Sequence, residues 1–298
     1  DPCLWFDPHG TLWMSYTQAR GFNDGRSGVW VVTCKDADAE TLVWSEPRRI
    51  ANGIMMNKPI VTQDNTWLFP CAIWRDESGS VPAERHGLEN EQFSNVYAST
   101  DEGKTIVLRG HADVPMRSFD EHMIVQKRDG TLWMLVRTFD GLGESYSKDG
   151  GFTWTPGRKS HIDNPCSRFF IRRLKSGRLL MINHYNFDQR IDLDDIMHQG
   201  NVKRWKGRSH LTAMLSEDDG QTWPYTLLLD ERDEVSYPDA KEADDGFIYV
   251  CYDHSRITER EILMARFTEE EILQGKLSNP ESKLRILVNK ALGQPDVE

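Results

Sequence analysis

Apolar residues along the chain come in short runs, among them Leu132-Trp133-Met134-Leu135-Val136, Leu179-Leu180-Met181-Ile182 and Phe247-Ile248-Tyr249-Val250. Runs of this length bounded by turn residues read as β-strands. Five of them open on the same kind of turn: Gly10-Thr11-Leu12-Trp13, Asn65-Thr66-Trp67-Leu68, Gly130-Thr131-Leu132-Trp133, Gly177-Arg178-Leu179-Leu180 and Gly246-Phe247-Ile248-Tyr249. They recur at intervals of 47–69 residues, the period of a repeated supersecondary unit. Only one segment reads as a helix, Thr268 to Leu273, where Thr268 is placed to cap a first turn holding Glu269, Glu270 and Glu271.

A second pattern is stricter. Ser147-Lys148-Asp149-Gly150-Gly151-Phe152-Thr153-Trp154 is repeated as Ser216-Glu217-Asp218-Asp219-Gly220-Gln221-Thr222-Trp223. Ser99-Thr100-Asp101-Glu102-Gly103-Lys104-Thr105-Ile106 is a copy without the Trp, and the stretch before Trp44-Ser45-Glu46-Pro47 is a lengthened fourth. In such a pattern the Asp carboxylate accepts turn amides, Gly takes a positive φ and Trp packs back between strands. These residues are read as staples of the fold, not as catalysts. Repeated four-stranded units with one turn motif each predict an all-β fold, a β-propeller. Five repeats are counted, at about 1–50, 51–110, 115–157, 165–225 and 233–290, within a single domain over 1–298.

Composition narrows the partners. Against 36 Lys and Arg stand 47 Asp and Glu, a net charge of −11 that speaks against nucleic acid. No apolar stretch is long enough to span a bilayer as a helix. Cys3, Cys34, Cys71, Cys166 and Cys251 lack metal-like spacing and are expected to be buried thiols outside any disulfide or zinc site. The chain opens on Asp1 inside an expected strand, which points to a trimmed leader or N-terminal segment. Compartment stays open between cytoplasmic and secreted.

The pattern Ser-x-Asp-x-Gly-x-Thr-Trp and its setting resemble the sialidase (neuraminidase) superfamily, six-bladed propellers carrying this "Asp-box", over nearly the whole chain. Six blades are therefore expected by resemblance where five repeats are counted, with an N-terminal blade strand missing. Sialidases place a Glu at the start of the first strand of a central blade, an Arg at the end of the next strand, and then a box. Glu121 and Arg137 fit, before the box at Ser147. A later Arg before a box and a Tyr after it match Arg208 and Tyr237. Near the N-terminus, Pro2 and the loop Asp24 fit the family pattern, and the residue matching its first arginine would fall just before Asp1.

The resemblance implies an exo-acting, retaining glycoside hydrolase that removes a terminal acidic sugar from a glycan, with no metal or organic cofactor. Tyr237 would be the nucleophile, Glu121 its base and Asp24 the acid, while Arg137 and Arg208 grip the sugar carboxylate. His122 and Arg256 join them as substrate-binding candidates, with His184, His210 and His254 as other imidazoles near these positions. Arg168 and Arg232 are cations that can stand in for the first arginine. The charged segment from Asp188 to Lys206 reads as an insertion forming a lid or rim. Other readings stay open: a propeller polysaccharide lyase or another exo-glycosidase acting on uronate- or rhamnose-containing glycans, and a glycan-binding propeller without turnover. Each residue also has a plainer reading, as a rim charge, a packed aromatic or a turn former.

Overall fold

The computed structural model describes residues 2–18, 27–74, 88–187 and 207–292. Asp24 and the segment from Asp188 to Lys206 lie outside the described residues. Within them, twenty strands form five four-stranded antiparallel sheets, each built from consecutive strands. The first holds β1 (Cys3–Phe6), β2 (Leu12–Gln18), β3 (Gly28–Cys34) and β4 (Arg48–Asn52). The second holds β5 (Ile60–Val61), β6 (Trp67–Ala72), β7 (Ser94–Ser99) and β8 (Val107–Ala112). The third is β9 (Met123–Gln126), β10 (Leu132–Arg137), β11 (Leu142–Ser147) and β12 (Arg158–Lys159). The fourth is β13 (Phe170–Arg173), β14 (Leu179–His184), β15 (Leu211–Ser216) and β16 (Tyr225–Asp230). The fifth is β17 (Val235–Glu242), β18 (Phe247–His254), β19 (Glu261–Thr268) and β20 (Lys283–Lys290). These sheets follow the five repeats read from the sequence.

The chain divides into two compact units. Asp1–Thr138 with Leu142–Ser160 carries the first three sheets, and Phe139–Gly141 with His161–Glu298 carries the last two. In the first unit the indoles of Trp5, Trp13 and Trp67 meet with ring centroids 5.0–5.9 Å apart and Phe69 beside them, which ties the first sheet to the second. Leu68, Val96, Ile124, Met134 and Val136 continue the core from the second sheet into the third. No helix among the described residues is long and apolar enough to cross a membrane. None of the five cysteines joins a disulfide, and four are buried. Cys251 is exposed, contrary to the expectation of burial, because the alternation of β18 turns its side chain to the open face of the sheet.

The two sequence motifs occupy fixed places, the turn in all five sheets and the box in the first four. The glycine or asparagine turn joins the first strand to the second, and the box follows the third. The first residue of each second strand pairs with the last residue of each third: Leu12 with Cys34, Trp67 with Ser99, Leu132 with Ser147, Leu179 with Ser216 and Phe247 with Thr268. At Ser147 the hydroxyl accepts from Gly151 N at 2.9 Å and donates to Asp149 Oδ1 at 2.8 Å. The same carboxylate accepts from Phe152 N and Thr153 N, and from Thr153 Oγ1 at 2.6 Å. Ser216, Asp218, Gly220 and Thr222 repeat the arrangement. In the lengthened copy Cys34 takes the serine position, and Ser45 pairs with Thr33 as Thr155 pairs with Tyr146. In the fifth sheet the residue at this position caps a helix instead. Thr268 and Glu271 form a reciprocal capping box for α1 (Glu269–Gln274), the helix expected there, and Gly275 closes it in the left-handed conformation.

These hydrogen bonds favour the ionised carboxylate. Bonds from Thr153 and Ser147 hold Asp149 down at about 2; at Asp101, amide and hydroxyl bonds from Thr105 and Ser99 hold the same value. A folded-state value below the ordinary carboxylate value of about 4 makes the ionised form the one that stabilises the fold. The contribution is complete above about pH 4 and is lost as pH falls towards about 2. Asp149→Asn is therefore expected to lower stability at neutral pH and to flatten its decline between those limits, read by chemical denaturation across pH. Gly103 has φ +76°, and a Cβ there would lie 2.7 Å from Trp13 and 2.9 Å from Trp67. Gly103→Ala is expected to destabilise the first unit by about 1–3 kcal/mol, measured by urea unfolding, because two packed indoles have to move and the backbone is strained.

Candidate active site

In the first unit the segment before β9 carries three successive residues in the left-handed region, Phe119, Asp120 and Glu121, with φ of 57°, 52° and 41°. Side chains rarely adopt this conformation three times running, so the segment is held from outside. Arg137 N donates to Asp120 O at 2.9 Å, and Ser118 N donates back to Arg137 O. Asn57, from the loop before β5, donates to the carbonyls of Glu121 and His122 at 2.7 and 3.1 Å. Asp120 accepts from Ser94 at 2.9 Å and pairs with Arg117 at 3.2 Å, and Arg117 donates to Gln92 O.

The result brings Glu121 onto the end of β10. Arg137 Nη1 lies 2.9 Å from Glu121 Oε2, with both side chains 1% exposed. The Phe119 ring lies 5.0 Å from the Arg137 guanidinium, a cation–π contact on its flat face. His122 is buried too, its Nε2 bonded to Asn95 O at 2.8 Å. Burial pushes the imidazole down to about 4, so it is neutral and acts as a strut between β7 and the Glu121 segment.

The second unit brings together Tyr237, Arg208 and Arg256. Tyr237 lies in a bulge of β17, where the register with β18 shifts between Ser236 and Asp239, and its φ is +56°. A left-handed residue before a proline is strained on both counts. The bulge turns the phenol towards two guanidiniums: Arg256 Cζ is 3.9 Å and Arg208 Cζ 5.8 Å from the ring centroid. Burial works against the charge on Arg256, and the Asp253 carboxylate and Tyr237 hydroxyl outweigh it, so the guanidinium is held charged. Asp253 also takes a hydrogen bond from Ser236 at 2.6 Å.

Arg208 is buried and donates to Cys166 O at 2.8 Å, a carbonyl presented by a residue with φ +50°. Two residues on, Arg168 donates to Pro238 O at 3.0 Å and approaches Asp239 at 3.7 Å. One loop therefore holds both Arg208 and the main chain that follows Tyr237. The sequence marked Arg168 only as a spare cation, and the parts played by Asn57, Phe119 and Cys166 had no sequence signal. His184 and His210 sit at the same strand ends. His184 Nδ1 bonds Ser209 O at 2.8 Å, and His210 Nδ1 lies 3.0 Å from the Ser209 hydroxyl. His254 pairs with Glu261 at 2.9 Å, and Arg232 with Asp230 at 2.6 Å. Among the described residues no group of three or more His, Cys, Asp or Glu is arranged to hold a metal ion.

The BNR repeat-like domain family matches residues 1–250. No curated protein matches significantly. Among solved structures, a Hadza microbial sialidase aligns with a TM-score of 0.60 at 19% identity, over 85% of this chain and 50% of its own. A leech intramolecular trans-sialidase gives 0.58 at 16% identity, over 84% of this chain and 37% of its own. A protein of unknown function from Dyadobacter fermentans gives 0.56 at 15% identity, over 96% and 82% respectively. The chain spans about half the length, or less, of the sialidase structures it matches. At these identities the likeness is one of fold, and the five four-stranded sheets are blades of an all-β propeller of sialidase type. With most of its length matched, the chain belongs to the BNR repeat-like domain family.

Proposed function

We propose that this chain, as one propeller domain over 1–298, is an exo-acting glycoside hydrolase of sialidase type that releases a terminal acidic sugar with retention. The observation that carries the reading is Tyr237: a strained tyrosine in a bulge, with the guanidiniums of Arg208 and Arg256 on its ring. A sugar bearing a carboxylate on its anomeric carbon repels a carboxylate nucleophile. A phenol approaches uncharged and loses its proton during attack, and neighbouring cations stabilise the negative charge that develops on its oxygen.

In this reading the Tyr237 oxygen attacks the anomeric carbon, its proton passes to Glu121, and the glycosidic bond breaks as Asp24 protonates the leaving oxygen. Water, deprotonated by Asp24, then cleaves the tyrosyl sugar, and Glu121 returns its proton to the phenol. Arg208 and Arg256 bind the sugar carboxylate. Arg137 has five donors, enough to keep its bond to Glu121 and also to reach the substrate. His122 serves by fixing the main chain next to Glu121. The partner is a glycan ending in an acidic sugar.

Release of a fluorogenic leaving group from an α-sialoside tests the reading. The protein is expected to turn over, Glu121→Gln to lower kcat by about 10²–10⁴-fold, and Tyr237→Phe to abolish turnover while remaining folded. Silence of the folded parent protein, or full activity in Tyr237→Phe, overturns it. An unsaturated product absorbing in the ultraviolet from a uronate glycan identifies a lyase instead. Arg256→Ala is expected to raise KM about tenfold or more with an unchanged melting temperature, because a charge-assisted bond to the substrate is lost.

A further inference from the structure

The second unit holds a cavity of about 380 Å³ that no part of the proposed mechanism uses. It is lined by the end of β14 and the residues beyond it, by the segment before β13, and by Trp223 of the last box. Its chemistry is distinctive. Tyr185, Phe187 and Trp223 contribute aromatic faces, Asn183 and Asp163 contribute polar groups, and none of the described lining residues is a lysine or arginine. Two buried polar atoms among its residues have no hydrogen-bond partner, His184 Nε2 and Trp223 Nε1.

The protonation of His184 follows from its other nitrogen. Ser209 O can only accept, so Nδ1 carries the proton in the 2.8 Å bond between them. Burial, the largest influence, pushes the imidazole down to about 3, which leaves it neutral with a lone pair on Nε2. That atom needs a donor. Trp223 Nε1 needs an acceptor; the matching indole of Trp154 finds one in Gly151 O at 3.1 Å. A hydroxyl group serves both, whereas a carboxylate or phosphate, which only accepts, leaves His184 unsatisfied.

We infer that this cavity binds a neutral pyranose, with hydroxyls on His184 and Trp223 and an apolar face of the sugar on the aromatic rings. An atom that needs a donor beside one that needs an acceptor separates this site from the arginine-bearing one, which takes the acidic sugar. Both polar atoms are shielded from solvent, so a sugar reaches them with a shift of lining side chains. Tyr185, which lines the cavity, is 43% exposed.

The test is titration of the intact protein with D-galactose, N-acetyl-D-glucosamine and D-galacturonate, observed through the Trp223 indole N–H resonance, assigned with Trp223→Phe. At least one neutral sugar is expected to shift this resonance saturably, and galacturonate to leave it in place. Tyr185→Ala, and His184→Phe checked for folding by thermal melting, are expected to weaken that binding about tenfold or more. No shift with either neutral sugar, an equal shift with galacturonate, or undiminished binding in folded Tyr185→Ala overturns the inference. The readout is binding and not turnover, so its failure is distinct from failure of the hydrolase reading.

Discussion

Four guanidinium groups, those of Arg117, Arg137, Arg168 and Arg208, are withdrawn almost entirely from water. An arginine does not escape such burial by losing its proton, so each has to be met by carboxylates or carbonyls, and an unpaired one costs several kcal/mol. In a sheet protein the strand carbonyls are already committed to neighbouring strands. The acceptors therefore come from loops whose backbone turns out of the ladder. In the first unit Gln92 O and Asp120 meet Arg117, and Glu121 meets Arg137. In the second, Cys166 O meets Arg208 and Pro238 O meets Arg168. Taking away one member of a buried ion pair such as Glu121–Arg137 removes a charge-assisted bond from the interior, which is strongly destabilising.

Left-handed backbone occurs in several of these loops. Glu121, Cys166, His210 and Tyr237 all have φ between 41° and 56°, and all lie in the loops that lead into strands or in the first turn of one. A single left-handed residue reverses the direction of a carbonyl or side chain without lengthening the loop. Each such residue costs about 1–3 kcal/mol, and its persistence means that surrounding contacts over-determine it. Asn57 on Glu121 O and Arg168 on Pro238 O are contacts of that kind. In each unit taken by itself, strain falls at or beside strand ends that carry ionisable side chains.

What was legible in the sequence was what local chemistry dictates. A hydroxyl, a carboxylate two residues on and a glycine two beyond that make the same turn wherever they occur, so the boxes marked the later part of each repeated unit, and the structure puts them after its third strand. The serine position also explains why the fifth sheet looked different: Thr268 keeps the hydroxyl but is followed by three glutamates, which favour a helix N-terminus over a turn. Glu121 and Arg137 stood out singly, through the sialidase resemblance, as a base and a carboxylate-binding cation; that they pair with each other is a finding of the structure, where one hairpin brings together residues 16 apart. Cys166 holding Arg208, and Asn57 holding Glu121, join residues 42 and 64 apart in different loops. Neither contact leaves a trace in composition or periodicity, since any carbonyl can accept and many positions can supply an amide.

His122 shows the limit of reading a residue type as a role. Its place beside Glu121 invited a part in binding substrate, yet its Nε2 is taken by Asn95 O and burial keeps the ring neutral. His184 is also neutral and bonded through one nitrogen to a carbonyl. Two buried histidines with one chemical form, one donor used and one lone pair kept, therefore differ by their surroundings: His122 joins β7 to the loop before β9, while the buried Nε2 of His184 has no hydrogen-bond partner in a residue that lines a cavity. The distinction rests on what surrounds each ring, a property of the fold that residue identity does not encode.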